Sequence, residues 1–264
     1  MRYYNLLRNI SNWPLYLAVK FGLAHLDPLH FSTRGGVRME VPRRLLQTFK
    51  EIFMDECYLK DMGSRLPENS TIIDVGANAG YFSLFALSRF RYARVFSFEP
   101  IPANFRLLGR NRDLNPGLPW LCVQKAVAGQ TGELVLAFDG GDDFTTSATV
   151  MGNYSGRKDR IRVSAVTIQD ILAENGLVRC DLLKMDCEGA EYDILYRCPP
   201  EVLGRIERIA LEIHEGPGTD QNIEAIEAFL RKGGFITRRR PVGMLAAWRA
   251  EEKDGSQDKH PDAT

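Results

Sequence analysis

The chain has 264 residues, 34 Lys and Arg against 34 Asp and Glu, a formal net charge of zero and 44% hydrophobic residues. That is enough chain and enough apolar side chain for one large domain with a real core. The overall charge balance gives no electrostatic argument for nucleic acid or an anionic membrane, and no run reaches the length of a transmembrane segment.

Residues 1–66 read as a mostly helical N-terminal extension. Residues 13–26 look at first like a signal sequence behind Arg2 and Arg8. Lys20 interrupts the apolar stretch and no small-x-small site follows, so a helix packed on the domain is the reading preferred. Contact with a membrane surface or a partner enzyme is its alternative. In residues 42–59, Leu45, Leu46, Phe49, Ile52, Phe53 and Tyr58 recur at three- and four-residue spacings, which predicts a helix with a broad apolar face. Leu66-Pro67-Glu68-Asn69 breaks the chain before the main domain, residues 67–250.

From Thr71 onward, predicted strands at 71–75, 94–98 and 121–127 alternate with helices near 80–90 and 101–112, as in a parallel α/β sheet. Residues 133–138 and 161–166 read as strands of a β insert at about 131–166. The intervening Gly-, Asp-, Thr- and Ser-rich residues 139–160 are too long for a turn and predict a functional lid or loop. Thr167 and Asp170 form a structural capping box. Strands at 180–185 and 208–213 resume the core sheet, and a helix near 220–232 ends at Gly233-Gly234. Residues 235–238 and 244–248 lie too close for a parallel crossover, so they form an antiparallel hairpin. Residues 251–264 are polar without periodicity and predict a disordered tail. The five cysteines, Cys57, Cys122, Cys180, Cys187 and Cys198, are odd in number and lack paired metal spacing, as expected of reduced thiols in a cytoplasmic protein. No motif specifies an oligomeric state.

The most informative stretch is Thr71-Ile-Ile-Asp74-Val-Gly76-Ala77-Asn78-Ala-Gly80, followed by Val95-Phe-Ser-Phe-Glu99-Pro100. It reads as a buried strand, a glycine turn, a helix whose N-terminus faces a ligand, and a second strand ending in an acid. Glu99 is placed to accept hydrogen bonds from a ribose diol. A dinucleotide fingerprint is G-x-G-x-x-G, with the middle glycine clearing space for pyrophosphate. Here the spacing is Gly76-x-x-x-Gly80 with Asn78 in the middle, and Asp74 adds negative charge. Both favour S-adenosylmethionine over NAD(P), because a sulfonium and an ammonium suit an acid where a pyrophosphate does not. Gly76, Ala77, Asn78 and Gly80 are expected around the methionine portion, with Asp74 beside them. Phe98, Pro100 and Asn104 are expected near the adenosine, and Gln124 or backbone groups near the adenine.

Lys184-Met-Asp186-Cys187-Glu188-Gly-Ala-Glu191 places three carboxylates in six residues where a strand gives way to a helix. Such a cluster needs a cation, a donor or water. Glu191 reads as a first-turn acid complementing the helix dipole, and Lys184 as a structural partner of one of the acids. Asp186 and Glu188 are predicted to enter the cleft, to hold the cofactor ammonium, an acceptor hydroxyl or a divalent ion.

These motifs resemble the FkbM family of methyltransferases. The resemblance rests on Ile73 to Gly80, on Phe98-Glu-Pro-Ile-Pro-Ala-Asn104, on Asn111 with Asn115, on Thr167-x-x-Asp170 and on Leu183 to Glu191, and spans roughly residues 50–240. It implies a Rossmann-like class I methyltransferase fold, with a mostly parallel sheet, and S-adenosylmethionine as donor. It also implies an O-methyltransferase acting on a small hydroxylated molecule, such as a sugar or polyketide-type natural product. An aliphatic hydroxyl is a poor nucleophile until its proton is taken. His214, after the fifth core strand, is the base candidate, with Glu212 or Glu215 to orient it. Asp186, Glu188 and Glu212 or Glu215 could alternatively hold Mg²⁺, although no spacing requires a metal. Asp142, Asp143, Phe144 and Thr145 are expected to face the acceptor. An NAD(P)-dependent oxidoreductase and a non-catalytic partner module are the competing functions.

Overall fold

The computed structural model describes residues 1–60, 66–138, 148–149 and 159–250. The extension opens with two short helices, α1 (Arg2–Asn9) and α2 (Pro14–Lys20). It then departs from the helical expectation, because β1 (Leu29–Ser32) and β2 (Arg38–Val41) pair as an antiparallel hairpin. The reason lies in period-two burial: Leu29, Phe31, Met39 and Val41 all face inward, while His30 is exposed. A short 3₁₀ turn at Arg43–Leu45 leads into α3 (Leu46–Phe53), so the helix covers only the middle of residues 42–59. Glu56 then takes a left-handed φ of 53°, which no helix continues.

The core sheet begins at β3 (Thr71–Val75), every residue of which is buried. It is followed by α4 (Tyr81–Arg89), β4 (Arg94–Phe98), α5 (Pro102–Asp113) and β5 (Trp120–Val123). The predicted strand 121–127 is split, because β6 (Ala126–Val127) leaves the core sheet for the insert. There it joins β7 (Gly132–Phe138), β8 (Ala148–Thr149) and β9 (Asp159–Val166) in a second sheet. Then come α6 (Ile168–Glu174), with its Thr167–Asp170 capping box, β10 (Leu182–Met185), α7 (Glu191–Tyr196) and α8 (Pro200–Leu203). The chain continues through β11 (Arg208–Glu212), α9 (Ile223–Lys232), β12 (Phe235–Arg239) and β13 (Met244–Arg249). The expected acceptor-facing residues 142–145 and the tail 251–264 lie outside the described residues.

The core sheet runs β12-β13-β11-β10-β3-β4-β5. Strands β5, β4, β3, β10 and β11 are parallel, and β13 pairs antiparallel with both β11 and β12. The chain leaves β3 toward β4 on one side and later returns as β10 on the other. This reversal opens a crevice at the carboxyl ends of β3 and β10, where ligands bind in such sheets. The extension shares its core with the sheet's helices. Phe49 stacks on Phe31 at 4.4 Å and lies 5.1 Å from Phe53, which meets Phe85 of α4 edge-on at 5.4 Å. Among the described residues, no helix is long and apolar enough to cross a membrane.

Two asparagines of α5 bind β2. Asn111 Oδ1 accepts from Glu40 N at 2.7 Å, and Asn115 Oδ1 from Arg38 N at 2.8 Å. Asn115 Nδ2 donates to the Arg38 carbonyl, and Asn111 Nδ2 to the Ala79 carbonyl at 2.8 Å. The pair therefore fastens the extension to α5, and α5 to the glycine turn.

Candidate active site

A cavity of about 510 Å³ occupies the crevice. One end is built from the turn after β3 and the end of β4. Gly76 has φ +69°, and a Cβ there would overlap the Asp186 carbonyl oxygen. Gly80 has φ +82°, and its Cβ would lie 2.7 Å from the Trp120 indole. Both glycines are thus demanded by left-handed backbone and by close packing. The turn is held from behind by Lys184, whose Nζ donates to the Gly76 carbonyl at 2.9 Å and pairs with Asp74 at 3.1 Å. Asp74, fully buried, also accepts from Ser83 at 2.6 Å.

Glu99 lines this end and is 4% exposed. Its carboxylate accepts from Asn78 N at 2.8 Å and Ile101 N at 2.9 Å, with Asn104 Nδ2 at 3.4 Å. Burial raises its pKa to about 7, against the lowering effect of those donors. Apolar Phe98, Ile101, Ala126, Val127 and Leu136 form the adjoining wall.

The other end is built from the ends of β10 and β11. Asp186, Glu188 and Glu212 line the cavity there. Glu188 sits at φ +54°, a left-handed conformation that costs a non-glycine residue on the order of 1 kcal/mol or more. Behind these acids stands His214. Its Nδ1 lies 3.1 Å from Glu191, and its Nε2 lies 3.8 Å from Glu188 and 4.0 Å from Asp186. Burial lowers the His214 pKa, but the Glu191 hydrogen bond and the three surrounding negative charges outweigh it and raise the pKa to about 9. Tyr192 O–H donates to the His214 carbonyl at 2.8 Å and fixes its backbone. Tyr58, from the extension, places its hydroxyl 2.8 Å from Asp186 and 3.1 Å from Glu212. The Glu212 pKa is raised by burial first and by Asp186 second. Cys187 also lines the cavity; burial and its acidic neighbours push its thiol well upward, which leaves it a packing group.

Of the predicted cofactor residues, Gly76, Ala77, Asn78, Glu99, Pro100 and Asn104 line the cavity. Asp74 and Gly80 do not: Asp74 faces Lys184 and Ser83, and Gly80 packs on Trp120. Gln124 is also absent from the lining. Asp186, Glu188 and His214 come together, but the acid that orients His214 is Glu191, not Glu212 or Glu215. Glu191 is fully buried and also accepts from Cys187 N at 3.0 Å and Gly189 N at 2.8 Å, so it is far more than a dipole partner. The sequence reading missed Tyr58 as a site residue, and with it Gln47, Thr48, Glu51, Ile52 and Asp55, which carry the extension into the cavity wall. Gln47, Thr48 and Glu51 stand among the polar positions of α3, whereas Ile52 and Tyr58 read as apolar-face residues. Among the described residues, Asp186, Glu212 and His214 bring one ligand atom each within 4.8 Å of one another. That mixed set suits Mg²⁺ poorly, since Mg²⁺ prefers oxygen ligands and water.

Comparison with known proteins agrees with this architecture. The chain is 31% identical over 220 residues to Methyltransferase sdnD of Sordaria araneosa, covering 73% of this chain and 83% of that one. It is 28% identical over 222 residues to the 31-O-demethyl-FK506 methyltransferase FkbM of Streptomyces tacrolimicus, covering 71% and 80%. The crystal structure of Methyltransferase FkbM from Methylobacillus flagellatus KT superimposes with a TM-score of 0.51 at 14% identity, over 78% of this chain and 54% of that chain, which shows a shared fold. Residues 74–237 match the Methyltransferase FkbM domain. The chain therefore belongs to the FkbM family of methyltransferases.

Proposed function

We propose that this protein is an S-adenosylmethionine-dependent O-methyltransferase acting on a hydroxyl of a small molecule, such as a sugar or polyketide-type natural product. The observation that carries the proposal is the pairing, in one cavity, of Glu99 at the end of β4 with Asp186 and Glu188 at the end of β10. Among the described residues, the lining holds six carboxylates (Glu51, Asp55, Glu99, Asp186, Glu188 and Glu212) and one Lys, Lys184, which is already paired. That balance repels a pyrophosphate and favours a cationic ligand, which argues against NAD(P).

S-adenosylmethionine, when bound, supplies an electrophilic methyl group on a positively charged sulfur. Glu99 has about four acceptor sites, three of them taken by Asn78 N, Ile101 N and Asn104 Nδ2, which leaves one toward a ribose hydroxyl, and Phe98, Ile101 and Val127 offer an apolar wall for a purine. Gly76 to Ala79 line the cavity between the two ends, and the acids beyond them can hold an ammonium. With its pKa near 9, His214 carries a proton at neutral pH and cannot accept another. We therefore assign the acceptor's proton to Asp186, which lines the cavity, and give His214 the task of holding Asp186 and Glu188 in place. Orientation of the hydroxyl and exclusion of water supply the rest of the acceleration. The name of the Streptomyces relative specifies methylation at oxygen, which supports an oxygen acceptor here. The five free cysteines accord with a reducing, cytoplasmic location.

Calorimetric titration with S-adenosylhomocysteine, NAD⁺ and NADP⁺ tests the cofactor, and transfer of labelled methyl to a panel of hydroxylated compounds tests the reaction. Binding of a dinucleotide alone would move the protein to the oxidoreductases. Activity that rises through pH 9 would return the role of base to His214; the assignment to Asp186 requires it to fall there.

A further inference from the structure

We propose that the face formed by α1, α2 and the residues just after α2 docks on the surface of an anionic phospholipid bilayer. This inference is independent of the catalytic reading. The chain as a whole is neutral, but residues 1–26 contain Arg2, Arg8 and Lys20 and no Asp or Glu. Among the described residues, thirteen large hydrophobic side chains are exposed, and seven of them fall in those 26 residues. They include Tyr4 at 65%, Phe21 at 67% and Leu23 at 80% exposure. Single exposed apolar residues are ordinary, but this concentration in a tenth of the chain is not.

The apolar and basic groups are interleaved. Lys20 Nζ lies 4.9 Å from the Tyr3 ring centroid and 5.6 Å from that of Phe21, and it donates to the Tyr3 hydroxyl. The Arg8 guanidinium lies 5.9 Å from the Tyr4 ring centroid. Arg34 Nε donates to the Leu7 carbonyl at 2.6 Å. Next to Tyr4 and Leu7 is a recess of about 220 Å³ lined by Arg8, Asn9, Arg34, Gly35, Ser88 and Arg89. Glu56 pairs with Arg8 and Arg89, and Asp55 with Arg2, so that with Lys20 and Arg34 five cations stand against two carboxylates and an excess of positive charge remains. Aromatic and aliphatic side chains beside Lys and Arg are the composition that settles at a membrane interface, where apolar parts enter the acyl boundary and cations meet headgroup phosphates. A bilayer offers both chemistries in one plane, and the recess is of a size to admit one phosphate.

The test is co-sedimentation of the full chain with vesicles of phosphatidylglycerol and phosphatidylcholine, against vesicles of phosphatidylcholine alone. The protein should pellet with the anionic vesicles and be released by high salt. A Lys20→Glu, Arg34→Glu variant should bind about tenfold more weakly or worse. A Phe21→Ser, Leu23→Ser variant should lose binding while its circular dichroism stays that of the parent. These side chains are exposed, so folding is not at stake. Failure to pellet with either vesicle would overturn the proposal. So would equal binding to both, or anionic binding unaffected by the charge reversals. A dimer in sedimentation velocity that Phe21→Ser, Leu23→Ser dissociates, without vesicle binding, would assign the face to a second copy instead.

Discussion

The two ends of the cavity neutralise their acids in opposite ways. At the β4 end, Glu99 is satisfied chiefly by backbone amides, those of Asn78 and Ile101. At the β10 end, Asp186, Glu188 and Glu191 are gathered around an imidazole, and Tyr58 bridges Asp186 to Glu212. Backbone donors are fixed by the fold and do not titrate, so at the first end only Glu99 itself changes charge, near pH 7. Side-chain donors carry removable protons, so the second end changes character with pH and with its neighbours. Ribose binding belongs at the first end, and proton handling, beside the hold on an ammonium, at the second.

The sharpest way to break this contrast is Glu191→Ala. It would leave the amides of Cys187 and Gly189 without an acceptor and His214 without its anchor, at an expected cost of about 3–5 kcal/mol in denaturant unfolding. Unchanged stability would mean that the dyad is incidental. His214→Ala should reduce methyl transfer by about 10²-fold, read in single-turnover assays, and S-adenosylhomocysteine affinity far less, because it removes the group that positions Asp186 and Glu188. Equal loss of binding would dissolve the separation between the two ends. Glu99→Ala should do the reverse, weakening S-adenosylhomocysteine by about 1.5–3 kcal/mol in calorimetry.

The smaller effects sharpen the comparison through pH. If the ribose hydroxyl requires ionised Glu99, S-adenosylhomocysteine affinity should fall by up to about tenfold per pH unit below the Glu99 pKa near 7. Glu99→Gln should flatten that dependence. For His214 the sign is opposite to that of a depressed acid. A pKa raised to about 9 contributes stability that is complete below its ordinary 6.5 and disappears as pH rises through 9. Urea unfolding of the parent and of His214→Gln across that window measures it.

The parallel sheet was legible because its strands are short apolar runs, such as Thr71–Val75 and Arg94–Phe98, punctuated by Gly and Pro. The site was legible only where chemistry follows the chain closely. Glu99 and Asp186 end strands, and strand ends meet in this architecture. Glu191 does open α7 as a first-turn acid, but its further role was not legible, because its partner His214 lies 23 positions away and arrives only through β11. Tyr58 was hidden for the same reason, being read as part of an apolar helical face. The β1–β2 hairpin was missed because its strands are four residues each, too short for alternation to stand out. The packing of Gly80 on Trp120, forty residues downstream, was not legible either, because no local pattern announces it.

The asparagine clamp on β2 has a consequence for solubility. A two-stranded ribbon presents an open edge of unpaired amides and carbonyls, which can recruit a strand from another molecule. On β2 the groups of Arg38 and Glu40 are taken by Asn115 and Asn111, whose side-chain amides stand in for the missing third strand. The helix that steadies the glycine turn thus also blunts an aggregation-prone border of the molecule.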